Sequence, residues 1–386
     1  MTAGPPTTVR PRNRKQLIVE AACRVFSGRG YHAASMEEIA AAVGITAAAL
    51  YRHFPNKYAL FAACTDVMAD RLVAAVDEVP PGAPAAEVLA AAARVTVEHR
   101  RSGGLYRWEA RYLERADRRR LGAKFVHLVK RVDEAVQREY ALPDRRLRAV
   151  AALGAIGSVT THHVSVARRR TEELLVSAAL RVTATDPTAV PEGVRHVELP
   201  APVPRTRRAE ILAAAVPLFA RDGFTSVTNG DIARAVGLAP SALYRHYPGK
   251  VDILAAACLQ AAGLLAQGVE RSLRGVRDPH DAVVALAATY VAYSFEHTEL
   301  NSVAEAELAG LPDALRRPVV LAQREHIAVW EQQLRLARPE LDPRGARTLV
   351  HAGFGVVVEA GRRLRWQDRP EHRDAVTVLM AAALGV

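Results

Sequence analysis

The sequence predicts an all-α protein built from two tandem helical units, and three observations carry that prediction. Apolar residues recur at helical spacing throughout, no segment alternates as a half-buried strand does, and the N-terminal stretch is repeated within the chain. Arg14–Lys57 aligns on Arg207–Lys250 without a gap at an offset of 193, with 18 of 44 positions identical. Weaker echoes follow at offsets of 196 and 198. Glu98-His99 returns as Glu296-His297, Trp108-Glu109-Ala110 through Asp117 as Ala304-Glu305-Ala306 through Asp313, and Gly157 as Gly355. A unit of roughly 190 residues is duplicated.

The first helix follows from Ile18, Ala21, Ala22, Val25 and Phe26, which share one face, and Gly28 and Gly30 stop it. Ser35 and Glu38 stand at the spacing of a capping box and open a second helix, whose Ile39, Ala40 and Val43 face inward. Gly44 supplies a turn, Thr46 caps a short third helix and Leu50 anchors it. Helix, glycine turn and second short helix is the helix-turn-helix plan. In the second copy Ala239 offers no capping hydroxyl, Pro240 at the first helical position offsets part of that loss, and Pro217 is expected to kink the first helix. Asp186–Pro204 holds five prolines and little apolar periodicity, as a linker does. The expected division is a head at 1–61, a larger helical domain at 62–185, the linker at 186–204, a second head at 205–254 and a second larger domain at 255–386.

Composition bounds the function. The 386 residues are half apolar and about a quarter charged, the balance of a soluble globular protein. Uninterrupted apolar runs such as Ala149–Val159 fall short of the roughly 18–20 residues that span a bilayer, and Met1–Arg14 carries charge and proline where a signal peptide is apolar. A cytoplasmic protein with no membrane partner is expected. Cys23, Cys64 and Cys258 form no CxxC or Cys/His cluster, and His162-His163 has no matching carboxylate or cysteine, so no metal or cofactor is expected and the histidines read as helix surface. Arg118-Arg119-Arg120, Arg168-Arg169-Arg170 and Arg362-Arg363 read as solvated helix ends. HExxH, GxSxG and phosphate-cradling glycine loops are absent, which argues against an enzyme.

The net charge of +11 is concentrated. Residues 1–57 carry eight Lys/Arg against three acids, and residues 203–250 carry seven against three, so the heads hold nine of the eleven excess charges. A phosphate backbone requires such an excess.

The pattern Phe26…Gly30…Ile39-Ala40…Val43-Gly44-Ile45-Thr46…Leu50-Tyr51-Arg52-His53-Phe54…Lys57 resembles the N-terminal domain of the TetR/AcrR family of transcriptional regulators. It recurs as Phe219…Gly223…Ile232-Ala233…Val236-Gly237-Leu238…Leu243-Tyr244-Arg245-His246-Tyr247…Lys250. The resemblance implies, in each copy, a three-helix DNA-binding head and a larger ligand-binding and dimerising domain. The implied function is sequence-specific regulation, as a repressor released by a small apolar effector. Duplication departs from the family, whose ordinary members carry one head per chain and work as homodimers.

By the same resemblance Tyr51, His53 and Lys57, with Tyr244, His246 and Lys250, contact phosphates, and the hydroxyls or amides at Ser35 and Thr228 add to them. The third helices start Thr46-Ala47-Ala48-Ala49 and Ala239-Pro240-Ser241-Ala242, so base readout falls to thymine-methyl contacts, to Thr46 and Ser241, and to Arg52 and Arg245, which serve phosphate equally well. In the larger domains Tyr106, Trp108, Glu109 and Tyr112, and Tyr290, Tyr293, His297 and Glu305, suit either an effector pocket or ordinary helix packing with satisfied polar tips. The tether favours a single-chain pseudo-dimer on a duplex operator of two unlike half-sites, with a homodimer of tandem chains as the alternative. A competing function is a ligand-binding adaptor whose alanine-rich heads no longer bind DNA specifically; the repeated Tyr-Arg-His…Lys argues against it.

Overall fold

The computed structural model describes residues 14–32, 34–100, 105, 112–190, 199 and 203–386, and within them the chain is helical, with no strand. Unit 1 contains α1 (Arg14–Arg29), α2 (Met36–Val43), α3 (Ala47–Tyr51), α4 (Lys57–Asp77), α5 (Ala85–Glu98), α6 (Arg115–Glu139), α7 (Arg145–Gly157) and α8 (Arg168–Ala184). Unit 2 contains α9 (Arg207–Asp222), α10 (Asn229–Ala235), α11 (Pro240–Leu243), α12 (Lys250–Leu273), α13 (Pro279–Glu296), α14 (Thr298–Glu307), α15 (Asp313–Ala337), α16 (Pro343–Arg363) and α17 (Pro370–Leu384).

Each head closes on its own core. In head 1, Ile18 and Phe26 of α1 meet Ile39, Leu50 and Phe61, with Phe26 and Phe61 edge to face at 5.5 Å. Gly28 lies inside α1, so Gly30 alone ends it, at a φ of 78° that favours glycine. Gly44 ends α2 in the same left-handed region, its N–H donating to the carbonyls of Ala40 and Ala41. The expected capping box is complete only in head 2, where Thr228 and Asp231 each accept from the other's backbone. In head 1 Ser35 caps α2 but the Glu38 carboxylate is drawn to Arg29 at 3.3 Å. Pro217 lies within α9, which runs unbroken from Arg207 to Asp222.

The expected domain edges at 61/62 and 254/255 fall inside α4 and α12. Each helix therefore begins in a head and ends in the larger domain, which makes it a rigid lever between the two. Counting uninterrupted apolar runs also passes over α12, which is long and apolar enough to cross a membrane by length and composition. Here Ile253, Leu254, Ala257, Cys258 and Ala261 are buried in the unit 2 core. The alignment of Asp117 on Asp313 is corrected as well. Helices α6 and α15, each of 25 residues, begin at Arg115 and Asp313, so the offset there is 198.

The two larger domains share one core, in which Ala152, Ala155, Leu175 and Val182 of unit 1 join Leu349, Val350, Val357 and Leu379 of unit 2. Helices α7, α8, α16 and α17 form this seam. At its centre α7 crosses α16 backbone to backbone: a Cβ added at Gly154 would come closer than 3.0 Å to the Gly355 carbonyl oxygen, and one at Gly355 equally close to that of Gly154. At the far end the guanidinium of Arg181 on α8 donates to the carbonyls of Ala382 (2.9 Å) and Ala383 (2.7 Å) in the last turn of α17. Arg148, fully buried, donates to the carbonyls of Leu142, Pro143 and Thr183 and locks the start of α7 to the end of α8.

Close approach at the seam leads to a contrasting pair of substitutions. Gly154→Ala overpacks the crossing and is expected to lower unfolding free energy by about 1–3 kcal/mol. Gly122→Ala, in α6 with open space around the added carbon, is expected to raise it by about 0.5–1 kcal/mol. Urea unfolding followed by circular dichroism compares them, and equal stability of the two variants would rule out the seam.

Candidate nucleic-acid interface and effector cavity

The short third helices leave the motif residues on the surface. In head 1, Thr46 caps α3 by accepting from Ala49 N at 3.2 Å, and Thr46, Ala48, Tyr51, Arg52 and His53 are exposed while Ala47 is half-buried. In head 2, Pro240, Ser241, Tyr244 and Arg245 are exposed and His246 is half-buried. Tyr51 and Tyr244 expose 46% and 55% of their surface. Asn229, overlooked in the sequence, donates to the Tyr244 hydroxyl at 3.0 Å and fixes that ring over the start of α10. Its signal was its place directly after the capping threonine.

Most head cations have partners inside the chain. Arg29 pairs with Glu38, Arg207 with Glu210, Arg221 with Asp222 and Arg234 with Asp231. Arg208 stacks 3.9 Å over the Tyr247 ring and donates to the carbonyl of His246. Among the described residues Arg52 and Arg245 form no ion pair, which leaves their charge available to an external anion.

The two lysines are engaged differently from the expectation. Lys57 Nζ donates to the carbonyls of His32 and Ala34, both at 3.1 Å, and sits 4.8 Å over the Tyr31 ring. Lys250 Nζ donates to the carbonyls of Phe224 (2.6 Å), Thr225 (3.4 Å) and Val227 (2.5 Å), with the Phe224 ring 4.4 Å beneath it. An ammonium has three N–H donors, so Lys250 has none left for a phosphate. Both lysines therefore clamp the loop between the first two helices of their head, and burial lowers both pKa values. The hydroxyl of Thr228 is likewise spent, donating to Asp231 at 2.6 Å.

Tyr112, expected at an effector site, lies between the heads instead. Its ring stacks on Tyr31 (5.7 Å) and meets His32 edge-on (4.5 Å) in head 1. A Cβ added at Gly223 of head 2 would lie 3.1 Å from its hydroxyl. Tyr106, Trp108 and Glu109 lie outside the described residues.

Unit 2 holds a cavity of about 490 Å³ between α12, α13, α14, α15 and α16. Of the expected residues, Tyr290, Tyr293 and Glu305 line it, together with Ala261, Val319, Ile327 and Phe354. Burial and the nearby Glu305 charge push both tyrosines' pKa values up. His297 does not line the cavity; it closes α13, its ring 5.7 Å from Tyr293. His326, missed in the sequence, does line it. The Trp330 indole donates to His326 Nε2 at 3.1 Å, and burial lowers this histidine to about 4, so the neutral ring carries its proton on Nδ1. The signal was the pair itself, four residues apart on one helix face.

Unit 1 has Met68 where α12 has Ala261, and Leu128 and Val132 where α15 has His326 and Trp330, all three buried in the shared core. His162 is also buried, not on a helix surface. Among the described residues no group of three His, Cys, Asp or Glu side chains is placed to hold a metal ion.

Helix α14 joins the cavity to head 2. Glu305 lines the cavity, and two residues on, Glu307 Oε1 accepts from Phe224 N at 3.1 Å, in the loop that Lys250 clamps.

Comparison with known proteins matches residues 18–64 and 211–257 to the N-terminal domain of bacterial regulatory proteins of the tetR family. The HTH-type transcriptional activator FasR of Mycolicibacterium smegmatis is 45% identical over 67 residues, 17% of this chain and 30% of FasR, so the chain spans less than a third of that relative. The HTH-type transcriptional repressor LfrR of the same organism is 27% identical over 191 residues, 47% of this chain and 90% of LfrR. A TetR-family transcriptional regulator from Bordetella parapertussis has a solved structure that aligns at 22% identity with a TM-score of 0.43, covering 47% of this chain and 95% of its own.

The lysine clamp is tested by Lys250→Met, which leaves three carbonyls without a donor. The expected cost is about 1–3 kcal/mol, with faster amide exchange across Phe224–Thr228. Unchanged exchange, together with a shallower salt dependence of duplex binding, would return this lysine to phosphate.

Proposed function

Two N-terminal domains of the tetR family stand in tandem on this chain, and from that premise we propose a DNA-binding transcriptional regulator in which both heads of one chain engage one operator. The observation that supports this reading is the exposed Tyr-Arg pair, repeated at the tip of both heads while Arg29, Arg207, Arg221 and Arg234 are paired off within the protein. Arg52 and Arg245 then supply the charge-assisted contacts, and Tyr51 and Tyr244 supply phenol donors. Thr46 and Ala48 in head 1, against Pro240 and Ser241 in head 2, give two unlike reading edges and an imperfect palindrome.

The shared seam supports a pseudo-dimer in which one chain does the work of two subunits. The cavity of unit 2 takes a small, mostly apolar effector with one polar end. Its occupancy shifts α14, and Glu307 carries that shift to the loop of head 2. An effector alters DNA affinity only through unequal affinity for the two arrangements, and a displaced α14 is such a difference. FasR is named an activator and LfrR a repressor; for this chain repression with release by the effector is proposed, since the lever of α12 turns cavity filling into head displacement.

Duplex binding is expected to weaken steeply with salt. Arg52→Ala combined with Arg245→Ala is expected to reduce the slope of log K against log salt by about 0.9 for each phosphate that is no longer neutralised. Light scattering of the bound state is expected to show one chain of 41.8 kDa per duplex. An unchanged slope reassigns the arginines, and two chains per duplex replace the pseudo-dimer with a dimer of tandem chains.

A further inference from the structure

The cavity of unit 2 is not walled by unit 2 alone. Thr161 of unit 1 lines it, exposed at its rim, just after the turn Ser158–Thr160 that continues α7. Beside it the ring of His162 lies flat on that of His351, centroids 4.2 Å apart and planes 18° from parallel, and His351 is itself a wall residue. A third wall residue, Gly355, is the one that α7 meets at Gly154. Three points on the wall are therefore contacts between the units.

This edge is held in place. Arg100 Nη1 donates to the carbonyl of Val164 at 3.3 Å, and Val164 N donates to His162 Nδ1 at 3.2 Å. With Nδ1 accepting, the neutral ring of His162 carries its proton on Nε2, which is buried without a partner. Burial, aided by the neighbouring His351, Arg100 and His163, lowers His162 to about 2, and burial with Arg347 lowers His351 to about 4. The stack is uncharged near neutral pH; His351 is its wall residue, and His162 lies against it with a buried Nε2–H that has no partner.

The geometry points to a composite effector site: one largely apolar molecule without negative charge fills the unit 2 cavity and is held at the rim by Thr161 of unit 1 and by His351, against which His162 of unit 1 stacks. Unit 1 is then a wall of the site, not a second sensor. This rests on reading the cavity as the effector site. Negative charge on the ligand is disfavoured because Glu270, Glu305 and Glu325 line the cavity and the rim histidines are neutral. One ligand per chain follows, because Met68, Leu128 and Val132 fill the corresponding space in unit 1.

The test uses the full chain and prodan, an uncharged naphthyl ketone whose emission reports hydrogen bonding to its carbonyl. One prodan per chain is expected. Thr161→Trp, which adds bulk at an exposed rim position of unit 1, is expected to weaken prodan binding about ten-fold, equivalent to about 1.4 kcal/mol, with the melting temperature and duplex affinity in the absence of prodan unchanged. Undiminished affinity in Thr161→Trp, or two prodan molecules per chain, overturns the composite site. Ala262→Trp fills the cavity from unit 2 itself. If it abolishes binding while Thr161→Trp does nothing, the cavity reading survives and only the composite site fails; if prodan does not bind the parent chain, both fall.

Discussion

The close crossing of α7 and α16 at Gly154 and Gly355 is the constraint on which the rest of the molecule depends. Two helices approach to backbone contact only where neither carries a side chain, and from that point the flanking residues interdigitate. Ala152 and Ala155 on one side, and Val350 and Val357 on the other, are buried because this crossing brings them together. Apolar burial at roughly 25 cal/mol per Å² makes such a seam strong. It also makes it discrete, since a close-packed contact between glycines has few neighbouring arrangements of similar energy. The positions of both heads are inherited from it through α4 and α12, each continuous from head to larger domain.

The heads show how a basic sequence can be read too simply. Nine excess charges suggest a surface covered in phosphate ligands, yet most of the cations are held within the fold. Lys57 and Lys250 satisfy loop carbonyls, and several arginines pair with acids three residues away or adjacent. A half-buried ammonium held by two or three carbonyls is a structural element, because removing it takes the donor away from each of those acceptors. What remains for an external anion is a smaller set, led by Arg52 and Arg245, beside two tyrosines that the fold keeps on the surface.

Much of this organisation was legible in the sequence, for identifiable reasons. The duplication fixed the two heads because identical residues at a constant offset require the same local structure, and Phe26, Ile39 and Leu50 were recognisable as core by their spacing. Tyr290, Tyr293 and Glu305 stood out as polar atoms on otherwise apolar helices, which suits a pocket or ordinary packing equally, and the structure places all three on the cavity wall. Long-range partners were not legible. Nothing local to Lys250 announces the three carbonyls more than twenty residues earlier, and nothing in the Thr161-His162-His163 run announces His351 on another unit. Arg148 looked like one more arginine in a basic helix start, yet it is wholly buried and spans two helices. Tyr112 was placed in a pocket by analogy with aromatic neighbours, whereas its contacts are set by how the two heads meet.

Tandem duplication changes what each copy is free to become. In a homodimer a single sequence must serve both sides of the seam, so a mutation that fills one cavity fills both. Here the linker holds the second unit at high effective concentration, and pairing within the chain survives divergence of the copies. Unit 1 has used that freedom for packing, with Met68 and Leu128 in place of Ala261 and His326. Unit 2 has kept the space. Under the proposed function, a signal that enters on one side and is resisted on the other would move the two heads unequally, through α14 and Glu307 in unit 2 and against the wall of unit 1. On an operator with unlike half-sites such unequal movement would suffice: once one head left its groove, the other would lose the gain of simultaneous engagement, and the affinity of the pair would fall toward that of a single head.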